Sequence, residues 1–108
     1  MAGETPVLDT LADLTAASAD HNLLPPRELM LARIAALIAV DAPPASYLAN
    51  AGAAQDLGLT AEDLQGVMIA VAPVVGTARV VAAGGNILRA LGLAIAVAES
   101  EMPDDGGQ

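Results

Sequence analysis

The chain has no cysteine, phenylalanine or tryptophan, and Tyr47 is its single aromatic residue. Without cysteine it has no thiolate nucleophile and no resolving thiol, so thiol peroxidase and disulfide-exchange chemistry are excluded for this chain alone. The same absence leaves the redox compartment undetermined. Lysine is also missing, which removes Schiff-base catalysis. Four arginines stand against thirteen acids, a formal net charge of -9. That sign repels phosphate backbones and anionic headgroups, so neither nucleic acid nor a membrane surface is an expected partner. His21 is the only imidazole and has no cluster of metal-ligating neighbours at a recognisable spacing, so no metal and no cofactor is expected. Ser18, Ser46 and Ser100 lack the Gly-x-Ser-x-Gly elbow of a serine hydrolase. Gly84-Gly85-Asn86 belongs to neither a dinucleotide fingerprint nor a Walker loop, and reads as a site of close helix packing.

What is present is aliphatic. Hydrophobic residues make up 55% of 108 residues, enough for one domain with one core built from Ala, Val, Leu, Ile and Met. That much apolar surface exceeds what a domain of this size buries alone, and the surplus predicts a homo-oligomer. Val80 to Ala98 is long enough to consider as a membrane span, but Asn86 and Arg89 sit at its centre and Gly84, Gly85 and Gly92 weaken its apolar drive. A helix buried in an oligomer accounts for the same composition. Met1 to Asp13 carries acids where a signal peptide requires a basic segment and a long apolar run, so the expected location is cytoplasmic.

The punctuation predicts five helices and no strand. Thr5-Pro6 opens the first, in which Leu8, Leu11 and Leu14 recur at helical spacing until Asp20-His21-Asn22. The second runs from Pro26 to Asp41 and is apolar nearly all round, the mark of a central buried helix. Ala42-Pro43-Pro44 breaks the chain before a third helix, about Ala45 to Leu57. The fourth spans Ala61 to about Val75, with Thr60 as N-cap, Glu62 and Asp63 in the first turn, and Pro73 kinking or ending it. The last runs from Ala78 to about Glu99. Residues 1–23 read as an N-terminal helix and arm, 24–101 as the helical domain, and 102–108 as a disordered acidic tail.

Several of these residues also stand in a family's order. Arg27-Glu28-Leu29 at a helix start, Gly58, Thr60, Glu62 and Asp63 around a loop, and Gly76 at a later turn together resemble the carboxymuconolactone decarboxylase family, which includes the alkyl hydroperoxidase D-like proteins. The likeness covers roughly Leu24 to Leu93. It implies a small all-α fold assembled as a trimer or hexamer. Two departures are visible: Asn50 occupies the place of the family histidine, and Pro43 and Ser46 occupy the places of the Cys-x-x-Cys pair of the peroxidase branch.

Glu28 is the candidate acid or base, because it opens an apolar helix at a place where the resemblance implies a carboxylate. An apolar pocket raises a carboxyl pKa toward neutrality, whereas a solvated first-turn acid only complements the helix dipole. Tyr47 and Asn50 lie three residues apart on one helical face and are the candidate ligand-binding pair, or else an interface aromatic and a capping amide. Arg33, Arg79 and Arg89 fall in apolar stretches and read as ion-paired, within the chain or across an oligomer, or as anion binders. The functional expectation is an oligomeric protein that has lost thiol chemistry and binds a small, largely apolar molecule or serves in assembly. The alternative is a cofactor-free lactone decarboxylase or isomerase-like enzyme using Glu28.

Overall fold

The computed structural model describes residues 5–101, with side chains along the last helix described through Gly92 and at Ile95. The helices are α1 (Pro6–Asp20), α2 (Pro26–Ala39), α3 (Pro44–Asp56), α4 (Ala61–Val75) and α5 (Thr77–Glu101), with no strand among the described residues. The fold is all-α. The tail expected to be disordered lies outside the described residues.

Local chemistry explains the boundaries. Pro occupies the first turn of α1, α2 and α3, where its missing N–H is one the helix does not need. α4 begins with a capping box: Thr60 Oγ1 accepts from the Asp63 N–H at 3.2 Å, and Asp63 Oδ2 accepts from the Thr60 N–H at 2.8 Å. α3 ends in a Schellman turn, with Gly58 at φ 74° and the Leu59 N–H donating to the Ala54 carbonyl at 3.0 Å.

α2 ends in the same motif, and here the sequence-based boundary needs correction. The helix stops at Ala39 rather than Asp41, because Asp41 adopts φ 57° and the Ala42 N–H turns back to the Leu37 carbonyl at 3.0 Å. Asp is among the few non-glycine residues that tolerate this left-handed position. α5 reaches past its expected ends, to Thr77 and Glu101. Pro73 neither ends nor interrupts α4, which continues to Val75.

The core sits where α2, α3, α4 and α5 meet. α2 packs on all three other helices, while α3 and α5 form the most extensive pair. Met30, Ile34 and Ile38, four residues apart along α2, make one buried stripe, joined by Ala42, Tyr47, Ala83 and Ala90. α2 is central to the packing, although its apolar residues are not all covered in the single chain: Ala32, Ala36 and Ala39 are exposed. α5 passes close to α4 at Gly84, where a methyl would lie 3.4 Å from Met68 Cε, about van der Waals contact.

α1 stands apart. It has no buried residue and packs extensively on no other helix, and Val7, Leu8, Leu11 and Leu14 along it are all exposed. Among the described residues, one side-chain hydrogen bond reaches it from α2, Arg33 Nη2 to the Thr15 carbonyl at 3.2 Å.

α5 also carries an open apolar stripe. Val81, Leu88 and Ile95 repeat at sevens, with Leu91 between them, and each is more than half exposed. That is the spacing of a helix-pairing seam. No described helix is long and apolar enough to cross a membrane.

Candidate functional site

The helix packing leaves an apolar cavity of about 330 Å³, partly open to solvent, between α3 and α5. Ile34 and Leu37 of α2 form its floor, Leu59 and Leu64 close the α4 end, and Ile87, Ala90 and Leu91 of α5 form a wall. The opposite wall is α3: Tyr47, Asn50, Ala51, Ala54 and Gln55. Asn50 and Gln55 are its only polar lining side chains besides Tyr47 among the described residues, and no described acid or arginine lines it.

Tyr47 and Asn50 are therefore brought together, as the three-residue spacing requires. Asn50 is half-buried and donates from Nδ2 to the Ser46 carbonyl one turn back at 3.0 Å. Its Oδ1 and second N–H remain free of any side-chain hydrogen bond among the described residues. Tyr47 is 8% exposed and contributes its ring to the cavity wall. Its hydroxyl oxygen is sealed from solvent and has no hydrogen-bond partner among the described residues. Burial, with the nearby Asp41 carboxylate as a second cause, raises the phenol pKa above its usual value. The hydroxyl thus stays protonated at any physiological pH and offers no base.

Glu28 does not join this pair. It lies in the first turn of α2, exposed, and lines neither the cavity nor the groove on the other side of α2. In that place it complements the helix dipole. The neighbouring Arg27 is the more engaged residue: its Nη2 pairs with Asp63 Oδ1 at 2.6 Å, tying the start of α2 to the start of α4. The Thr60 N–H, then the Arg27 guanidinium, hold the Asp63 carboxyl below its usual pKa. Arg27 and Asp63 thus act as a structural clip between the first turns of α2 and α4.

No family model matches the chain, and no curated protein or solved structure does.

The remaining arginines make no ion pair among the described residues, which corrects the intrachain ion-pair expectation there. Arg33 and Arg79 donate to backbone carbonyls, of Thr15 at 3.2 Å and of Ala39 at 2.8 Å, and the second of these satisfies the C-terminal end of α2. Arg89 folds back against Gly85, its Nη1 lying 3.3 Å from where a Cβ would stand. Among the described residues, Arg27–Asp63 is the ion pair that forms. His21 ends α1 as its C-cap, and no three His, Asp or Glu side chains cluster to hold a metal ion among the described residues.

A second depression between α2 and α4 is larger, about 490 Å³, but more open, lined by Ala32, Ala35, Gly66 and Ala70 with Glu62 and Asp63 at one end.

Sequence reasoning missed Gln55 and the aliphatic walls. Gln55 follows Asn50 by five residues on an otherwise Ala-rich helix, and that pairing of amides was its only signal. Ile34, Leu37 and Ile87 gave none, because core and cavity residues have the same composition.

Proposed function

We propose that the protein is a homo-oligomer that binds a small, largely apolar molecule in the cavity between α3 and α5, without thiol chemistry. The observation that carries the proposal is the cavity itself. Its volume falls at the lower end of small-molecule sites, its walls are almost wholly aliphatic, and two amide side chains, Asn50 and Gln55, line its α3 side. Assembly is supported by the open stripe on α5 and by α1, a fifteen-residue helix with no extensive packing partner among the described helices. A helix of that length is marginal in water alone and gains its stability from packing. A trimer or hexamer, as in the carboxymuconolactone decarboxylase and alkyl hydroperoxidase D-like proteins that the sequence resembles, would supply the packing. Catalysis through Glu28 is not part of the proposal, since no described carboxylate faces the cavity.

Two measurements test it. Light scattering should give a mass of a trimer or larger, and a mass near 10.7 kDa across micromolar concentrations would refute assembly. A thermal-shift screen of small apolar compounds should find stabilising ligands whose effect is lost in Ala51→Leu, which narrows the cavity at its α3 wall. Ligands that stabilise both proteins equally would place binding elsewhere.

A further inference from the structure

We infer that the cavity selects uncharged ligands, an apolar skeleton carrying a neutral oxygen, and rejects the carboxylate or ammonium form of the same skeleton. The inference rests on the binding role proposed above and adds the ligand's chemical class. It comes from what the cavity wall lacks and from where the charges have gone.

All four arginines are placed away from the cavity. Arg27 is held by Asp63, Arg33 and Arg79 by the carbonyls of Thr15 and Ala39, and Arg89 lies along α5 against Gly85. None lines the cavity, and no described Asp or Glu does either. An anion whose charge is drawn inside, away from the open side, would lose its water and find no guanidinium. An ammonium would find no carboxylate. An unpaired charge in an apolar site is costly enough that the neutral form is taken instead. Tyr47, the one titratable group on the wall among the described residues, remains neutral because its pKa is raised and its hydroxyl is shut off from solvent.

The polar capacity that remains belongs to amides. Asn50 spends one N–H on the Ser46 carbonyl and keeps an acceptor and a donor; Gln55 is exposed and its side chain makes no hydrogen bond among the described residues. Both line the cavity. An amide donor meets a ketone, ester, ether or alcohol oxygen as well as it meets water, without requiring charge. At roughly 30 Å³ per water-sized group, 330 Å³ holds about eleven such groups, the size of a short-chain or monocyclic oxygenated molecule.

The test compares two ligands of one skeleton on the intact protein: 2-octanone and octanoate, titrated at about pH 7.5, where the carboxylate is ionised. Binding is read by thermal shift and by the methyl NMR signals of Ile34 and Ile87. The expected result is saturable octanone binding with both methyl signals shifting, and octanoate binding at least tenfold weaker. Gln55→Arg, which places a guanidinium at an exposed position on the wall, should bring octanoate binding to within a few-fold of octanone. Octanoate binding to the wild type as tightly as octanone, with the same methyls shifting, would overturn charge selection while leaving the cavity as a binding site. A Gln55→Arg protein that binds octanone and still rejects octanoate would overturn it as well. Failure of both ligands to bind the wild type would remove the binding role and the selectivity together.

Discussion

Tyr47→Phe should stabilise this protein, an unusual direction for a change at a buried position. The ring stays, so the contacts that make Tyr47 part of the core with Ile34 and Ile38 are kept, and only the hydroxyl goes. That hydroxyl is sealed from solvent and has no partner among the described residues, so folding strips its water and returns nothing. Leaving a buried polar group unsatisfied costs about 1–3 kcal/mol. The void left by one oxygen recovers little of that, so a gain of about 1–2 kcal/mol at neutral pH is expected. For a domain near 100 residues, 1 kcal/mol moves Tm by about 4–8 °C, well within the reach of circular dichroism. A pH arm sharpens the test. The phenol pKa is raised in the folded state above its ordinary 10.0, by burial first and the Asp41 charge second. Well below about pH 10 both states keep the proton and the group adds no pH dependence. Above about pH 10 the unfolded chain releases it while the folded chain holds it, so wild-type stability falls as pH rises. The phenyl ring of the variant carries no such proton, and the advantage of Tyr47→Phe should widen from about pH 9 to about pH 11. A variant less stable than wild type at neutral pH would show that the hydroxyl has a partner, a trapped water or a group from another subunit, and would refute the reasoning.

Three other outcomes follow from the same geometry. Thr60→Ala removes half of the capping box at the start of α4 and should cost about 1 kcal/mol, read as a lower urea midpoint with unchanged m-value; an unchanged midpoint would show the cap to be idle. Asp63 has its pKa lowered, so the stability it contributes is present above its ordinary 3.8 and is lost as pH falls through the folded value. Acid unfolding should therefore be less steep in Asp63→Asn than in wild type, and parallel acid limbs would contradict this. Leu88→Asp puts a charge on the open stripe of α5 at a position already exposed in the single chain, so it should dissociate the oligomer and leave each chain folded by circular dichroism. An oligomer of unchanged mass would remove α5 from the interface.

Much of the helical framework was legible because helix ends are local events. Pro26, Thr60, Gly58 and Gly76 act on backbone groups within a few residues of themselves, and the structure places each at the helix end its chemistry suits. The end of α2 was less legible, since Asp41 enters the left-handed region in a turn where any of several residues would have extended the helix by one step. The site was half legible. Tyr47 and Asn50 share a wall because three residues on one helix always do. Glu28 belongs to another helix, and whether its carboxyl would face theirs depended on how α2 is rotated against α3, which no spacing within α2 reports.

What the sequence determined by itself is the class: helices with set ends, an aliphatic interior, a chain without thiols or lysines and with thirteen acids. The tertiary structure alone decided the partners. It joined Arg27 to Asp63 across 36 residues, sent Arg33 and Arg79 to backbone carbonyls, left α1 without an extensive packing partner, and turned Glu28 outward. The division has a physical cause. A cap or a turn is settled by dihedral angles and hydrogen bonds a few residues apart, whereas the surroundings of a side chain are settled by the crossing of whole helices, and that depends on every contact in the core at once.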